Sequence, residues 1–183
     1  VVGAQGSGGM VLTDDQGLAE RLGRLRYHGH AGNRVYEEIG HNSQLPSVQA
    51  AILSIKLSRD PEWRARRQAI AGEYTSAIDA IDRIAAPRIV PGGEHVFHKY
   101  VMRLRQGRDS LAAHLKEQGI GSSIHYSRPL HTQPCFQGCS HTAGDMAMVT
   151  RLSKELLSLP IYPELRDEEV ARVITALQSW PGE

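Results

Sequence analysis

The stretch Ile39-Gly40-His41-Asn42-Ser43-Gln44-Leu45-Pro46-Ser47-Val48-Gln49-Ala50-Ala51-Ile52-Leu53-Ser54-Ile55-Lys56-Leu57 joins a polar, amide-bearing loop to a helix with almost no polar face. Pro46 suits a first helical turn, where its missing N–H would have no partner anyway. From there Val48, Ala51, Ile52 and Ile55 recur at the i, i+3, i+4, i+7 spacing of one buried face, while Ala50, Leu53 and Leu57 occupy the opposite side. A helix that is apolar all round must be covered on both sides. It is therefore expected either at the centre of a large domain or with its second face against a partner chain, and the short chain favours the partner. At the helix start His41, Asn42, Ser43 and Gln44 supply neutral donors where backbone N–H groups and the helix dipole favour an anion such as phosphate. A helix simply capped by Asn42 or Ser43, with no ligand, fits the same residues.

Working outward, 183 residues suffice for one ordinary domain or slightly more, with a core that needs neither metal nor disulfide. The 21 basic and 20 acidic residues nearly cancel, which argues against a nucleic-acid or polybasic membrane surface. No apolar run approaches the ~20 residues of a membrane span, and Val1 to Met10 has neither the charged nor the apolar region of a secretory signal. A soluble cytoplasmic protein is expected. Cys135 and Cys139 alone make no disulfide framework. The start at Val1, without Met, reads as if cut from something longer.

Before the opening stretch, four glycines between residues 3 and 9 allow close backbone approach. Met10 to Thr13 alternates as a short strand, Thr13-Asp14-Asp15 offers an N-cap, and Leu18, Leu22 and Leu25 stripe a helix ending before Gly29. A polar loop with Asn33, Arg34 and Tyr36 follows. After Leu57, Ser58-Arg59-Asp60-Pro61 is expected to interrupt the helix. Spacing resumes from Glu62 to Ile81 with Trp63, Ile70, Tyr74 and Ile78 on one face, and Arg64, Arg66 and Arg67 on a solvated one or, alternatively, binding phosphate. Composition changes near Ala85-Ala86-Pro87-Arg88, which places a domain boundary between 1–84 and 85–183. Beyond it, residues 96–103 alternate as a strand. Asp109 opens a helix with Leu111 and Leu115 inward and Gly119 at its end, and residues 120–126 read as a second strand. A long loop follows from Ser127 to Ser140. Met146, Val149, Leu152 and Leu156 stripe a helix, residues 159–163 are an extended connector, and Asp167 caps a last helix burying Val170, Val173, Ile174 and Leu177. This order describes a small α/β layer with a few strands covered on one face.

Chemistry-bearing residues concentrate in Ser122-Ser123-Ile124-His125-Tyr126-Ser127-Arg128-Pro129-Leu130-His131-Thr132-Gln133-Pro134, at and after a strand end, where sites are commonly built. His125 as a hydrogen-bonded half-buried residue and His131 as a loop surface residue is the competing description. His131, Cys135, Cys139 and His141 form a possible zinc set, although no CxxC pair is present. Cys135 as a nucleophile lacks any base tied to it by the sequence.

Several motifs occur together and in order: Gly-Ser-Gly-Gly-Met-Val-Leu-Thr-Asp-Asp, Leu-Ala-Glu-Arg-Leu-Gly-Arg-Leu-Arg-Tyr-His-Gly, Ile-Gly-His-Asn-Ser-Gln-Leu with Gln-Ala-Ala-Ile-Leu, Trp63-Arg64-Ala65-Arg66-Arg67, His-Tyr-Ser-Arg-Pro-Leu-His-Thr-Gln-Pro, and Leu-Ser-Leu-Pro-Ile-Tyr-Pro-Glu-Leu. Nearly end to end, the chain resembles the sugar aminotransferases of the DegT/DnrJ type. The resemblance implies an α/β chain that is the C-terminal part of a type I pyridoxal-phosphate (PLP) transferase fold. Residues 1–84 would end the large domain, with the long interface helix, and 85–183 would form the small C-terminal α/β domain. It also implies a homodimer that moves an amino group from glutamate or glutamine to a nucleotide-linked keto-sugar. Asn42 then corresponds to the amide reaching the cofactor phosphate of the other subunit, with Gln44 beside it where an arginine is common. His125, Tyr126 and His131, with His98 beside them, correspond to residues closing over the sugar nucleotide. In the family pattern the Schiff-base lysine would precede Val1, and Lys56, Lys99, Lys116 and Lys154 do not match it. Ser7 replaces the usual acid of the Gly-rich turn. On this reading the chain carries no catalytic residue and is inactive alone. Two competing readings are a non-catalytic partner subunit that docks on an intact paralogue, and a small zinc- or thiol-binding protein.

Overall fold

The computed structural model describes residues 2–32, 34–136, 138 and 144–182. Contacts group them into two compact units, Val2–Asp60 and Pro61–Glu183. The division falls within a helix, ahead of the composition change at 85, because the second half of that helix supplies core residues to the later strands.

In the first unit, helix α1 (Gln16–Leu25) starts as its sequence dictates, with the Asp15 carboxylate accepting the N–H of Leu18 at 2.9 Å. None of its residues is buried. Residues 10–13 form no strand, and Met10, Val11 and Leu12 are exposed; alternation without a strand to pair with gives no ladder. The loop after α1 folds back instead. His41 N–H donates to Leu25 O at 2.7 Å, Ser43 N–H to Arg26 O at 2.9 Å, and Tyr27 and Asn42 form an antiparallel bridge. Gly29 makes this possible: its φ is +79°, and a Cβ there would collide with the Glu38 carbonyl. Arg21 and Arg24 of α1 pair with Glu38 at 3.0 and 3.4 Å.

Helix α2 runs unbroken from Ser47 to Ile78, with Pro61 inside it. The expected interruption at 58–61 is therefore corrected. Proline removes one helical N–H and costs about 3 kcal/mol in a helix interior. Here the preceding turns are rich in good helix formers, and the following turns are fixed by the core burial of Ile70, Ala71, Tyr74 and Ile78. Pro46 lies just before the helix, its carbonyl accepting from Ala50 N–H at 3.0 Å, and neither Asn42 nor Ser43 caps it. The front half is not doubly buried within this chain. Val48 and Ile55 are each 70 % exposed and Leu57 is 56 % exposed. The glycine-rich N-terminal segment is fastened to this half by polar ties, with Gln5 N–H donating to the Gln49 side chain at 2.9 Å and the Lys56 ammonium donating to Gly3 O at 2.6 Å.

The second unit is built on a three-stranded antiparallel sheet in the order β1 (Ile84–Ala85), β2 (Tyr100–Leu104), β3 (Leu156–Leu159). Ile84 pairs with Leu104, and Tyr100 pairs with Leu159. Tyr100, Met102 and Leu104 point inward with no exposed surface, whereas Val101 and Arg103 face the other way. The C-terminal half of α2 packs on the inner face: the Tyr74 ring meets Tyr100 edge-on at 5.3 Å, and the Tyr74 hydroxyl donates to Pro160 O at 3.0 Å. Helices α3 (Arg108–Glu117) and α5 (Asp167–Ser179) complete the core with Leu111, Leu115, Val170, Val173 and Leu177. Between β2 and β3 in sequence also lies α4 (Ala147–Glu155).

Several boundaries differ from expectation. The strand at 96–103 shortens to β2, because Phe97 takes φ +46° and its N–H bonds the His95 ring rather than a neighbour strand. Residues 120–126 contribute one bridge, Ser123 to Ser158, and not a full strand. The helix striped by Leu156 stops at Glu155, and Leu156–Leu159 becomes β3, since the free edge of β2 offers a ladder for that apolar run. Asp109 lies in the first turn of α3 behind Gly107, and Asp167 is the first residue of α5; Arg166 is the cap, with its N–H held by Glu169 at 2.9 Å. Gly119, at φ +70°, ends α3 as expected: Gly119 N–H bonds Lys116 O and Ile120 N–H bonds Leu115 O, both at 2.9 Å. Among the described residues no helix is long and apolar enough to cross a membrane.

Candidate functional site

In the second unit the start of β2, the 123–126 segment and β3 bring His98, Lys99, His125, Tyr126 and Ser158 together. Ser158 lies on β3, is buried, and exchanges backbone hydrogen bonds with Ser123 at 2.8 and 3.1 Å, which fixes the segment carrying His125. The His125 Nδ1 is 2.8 Å from the Ser158 hydroxyl. Its ring meets the Tyr126 ring edge-on at 5.4 Å. The Lys99 ammonium lies 5.2 Å from the Tyr126 ring centroid and 3.4 Å from its hydroxyl, an attractive placement of a cation on an aromatic face.

Electrostatics follow from this geometry. Partial burial lowers the pKa of His125, and the Lys99 charge lowers it further. His98 is lowered by partial desolvation and then by the Lys99 and Arg67 charges. Near neutrality both imidazoles are therefore uncharged and able to donate and accept, beside one ammonium and one phenol. Such a set suits ligand hydroxyls and a nearby anionic group.

Arg67 sets the position of this cluster and was hidden in the sequence among arginines expected on a solvated or phosphate-binding face. Its Nη1 donates to Ile161 O at 2.8 Å, to Phe97 O at 3.2 Å and to His98 O at 3.4 Å, joining the entry of β2 to the exit of β3. Arg66 likewise donates to Leu165 O and to Asp167, both at 2.6 Å. The signal was a long-range one, carbonyls some 30 and 94 residues away, which helical periodicity does not report.

His131 sits half-buried in a one-turn 3-10 helix, Leu130–Thr132, and its ring makes no hydrogen bond among the described residues. Cys135 is free and exposed. Cys139 and His141, the other members of the possible zinc set, lie outside the described residues. Among the described residues no group of three or more His, Cys, Asp or Glu side chains is placed to hold a metal.

Asn42 and Gln44 belong to the first unit. Both are exposed, and their side-chain amides make no hydrogen bond among the described residues, while the backbone around Asn42 is pinned to the end of α1. A rigid loop presenting unengaged N–H donors fits phosphate oxygens. The ammonium of Lys56 is engaged by Gly3 and that of Lys99 by Tyr126. The residues present offer donors suited to phosphate oxygens and sugar hydroxyls.

The architecture is that of the C-terminal part of a type I PLP-dependent transferase. It superimposes with a TM-score of 0.87 and 36 % identity on the crystal structure of Streptomyces venezuelae DesV, covering 92 % of this chain and 45 % of that one. The chain belongs to the DegT/DnrJ/EryC1/StrS aminotransferase family, whose model matches residues 2–178. It is 37 % identical over 179 residues to the dTDP-3-amino-3,4,6-trideoxy-alpha-D-glucose transaminase of Streptomyces venezuelae, covering 98 % of this chain and 47 % of the relative. It is 39 % identical over 175 residues to the pleiotropic regulatory protein of Geobacillus stearothermophilus, covering 94 % and 47 %. The chain spans about half the length of the curated relatives it matches.

Proposed function

We propose that the chain is the C-terminal portion of a PLP-dependent aminotransferase acting on a nucleotide-linked keto-sugar, with glutamate or glutamine as amino donor. In this reading the chain runs from the end of the large domain, with the long helix, into the small C-terminal domain, and the working unit is a cytoplasmic homodimer. The observation that carries it is the convergence of His98, Lys99, His125 and Tyr126 within a chain whose family membership spans residues 2–178. The exposed apolar front of α2 supports the dimer, since Val48 and Ile55 are each 70 % exposed and Leu57 is 56 % exposed.

PLP, when bound, supplies the electron sink for amino-group transfer. The chain's own residues bind and orient. Asn42 and Gln44 donate amide N–H groups to the cofactor phosphate across the dimer. Neutral His125, held by Ser158, and the Tyr126 phenol bond sugar hydroxyls. Lys99 faces the anionic nucleotide, and His98 and His131 border the sugar. No lysine of the chain matches the family's attachment position, so the 183-residue chain alone is inactive in this reading.

The test is to supply the missing cofactor half from an intact family member. Mixed with a relative whose own Asn42 equivalent is changed to Ala, the chain restores glutamate-dependent amination of a dTDP-linked keto-sugar, and an Asn42→Ala chain does not. Equal rescue by both chains, or none by either, overturns the role given to Asn42.

A further inference from the structure

A second basic site lies at the other end of the sheet. A surface cavity of about 880 Å³ is lined by Arg83, Arg88, Arg103 and Arg105, with Asp82 and Trp180 among its other residues. Strand alternation gathers the arginines. Because Tyr100, Met102 and Leu104 point into the core, Arg103 takes the outer face of β2, and Arg105, two residues on, continues it. On β1 Ile84 is buried and Ala85 exposed, so Arg83 falls on the side of Ala85. The register sets Ala85 opposite Arg103, and extending it sets Arg83 opposite Arg105. Like charges opposed across a strand pair repel, and Asp82 is the one acidic residue among the described residues lining the cavity.

Two of the guanidiniums are engaged. Arg103 binds Glu155 at 2.6 Å, and Arg83 donates to Pro181 O at 2.9 Å while covering the Trp180 ring at 5.5 Å. Arg88 and Arg105 are exposed and make no hydrogen bond or ion pair among the described residues. Gly107, the residue before α3, also lines the cavity. Trp180 is 5 % exposed and already covered by Arg83, leaving no aromatic face for a base. None of the residues at the His98, Lys99, His125, Tyr126 cluster lines this cavity.

We propose that this cavity is a diphosphate-binding site, separate from the candidate sugar site and reading phosphate rather than base. Arg88, beyond the end of β1, and Arg105, just past the end of β2, clamp the anion. Isothermal titration of the chain with inorganic pyrophosphate and with a nucleoside diphosphate tests it. The expected result is binding of both, with the component removed by Arg88→Ala with Arg105→Ala showing affinities within about threefold, since each charge-assisted contact there is made by phosphate alone. Arg88→Ala with Arg105→Ala weakens pyrophosphate by about 100-fold, roughly tenfold per guanidinium, with an unchanged melting temperature. His125→Ala leaves it unchanged. The proposal is overturned by no pyrophosphate binding at millimolar concentration, by binding the double variant retains, by loss in His125→Ala, or by a nucleoside diphosphate whose binding removed in the double variant is more than tenfold tighter than that of pyrophosphate.

Discussion

Replacing Arg67 by Met isolates the link between the core and the candidate site. The methionine keeps the apolar stem and removes the guanidinium that donates to Ile161 O at 2.8 Å and Phe97 O at 3.2 Å; the third contact, to His98 O at 3.4 Å, is too long to weigh much. Two hydrogen bonds from a charged donor contribute about 1.5 kcal/mol each at the low end, so the variant should lose about 3 kcal/mol. For a domain of this size that is a fall in melting temperature of about 6–12 °C. A second readout separates positioning from plain stability. The Arg67 charge contributes to lowering His98 but not His125. In an NMR titration of imidazole protons the His98 pKa should rise toward its ordinary value, while that of His125 stays put. A loss below about 1 kcal/mol together with an unmoved His98 would refute the clamp.

Other expectations follow from the same geometry. His98 and His125 both have pKa values lowered in the folded protein, so between the folded and unfolded values the unfolded chain binds more protons and stability rises with pH. Their contribution is complete above about 6.5, the ordinary histidine value, and is lost as pH falls below it; melting temperature measured from pH 5 to 8 should show this slope, and His98→Gln with His125→Gln should flatten it. Ile70→Ala, at a site with no exposed surface, should cost about 2–5 kcal/mol in denaturant unfolding. Ile55→Asp, at a site 70 % exposed, should leave the unfolding free energy at low protein concentration nearly unchanged while weakening self-association measured by sedimentation. Gly119→Ala, which forces a side chain into φ +70°, should cost about 1–2 kcal/mol by the same unfolding assay.

Where a structural cause was local, the sequence carried it. Asp15 capping α1, Gly119 closing α3, and the buried Val170, Val173 and Leu177 stripe of α5 were all readable from spacing and residue type. Elements decided by distant partners were not. Leu156–Leu159 has helical neighbours and becomes a strand only because β2 is there to pair with it. Pro61 ought to break a helix, yet α2 continues because core packing of its later turns outweighs a local cost. At the candidate site His98, His125 and Tyr126 stood out as chemical types beside the family motifs. Lys99, Ser158 and Arg67 did not, since each acquires its role from a contact with residues far along the chain.

Titration of the chain with a dTDP-linked sugar, followed by the imidazole signals of His98 and His125, tests the proposed substrate site most directly. Saturable shifts of both signals that are lost in Tyr126→Phe with Lys99→Met, and that persist in Arg88→Ala with Arg105→Ala, are the predicted result. Unmoved histidine signals at saturating sugar nucleotide would contradict it.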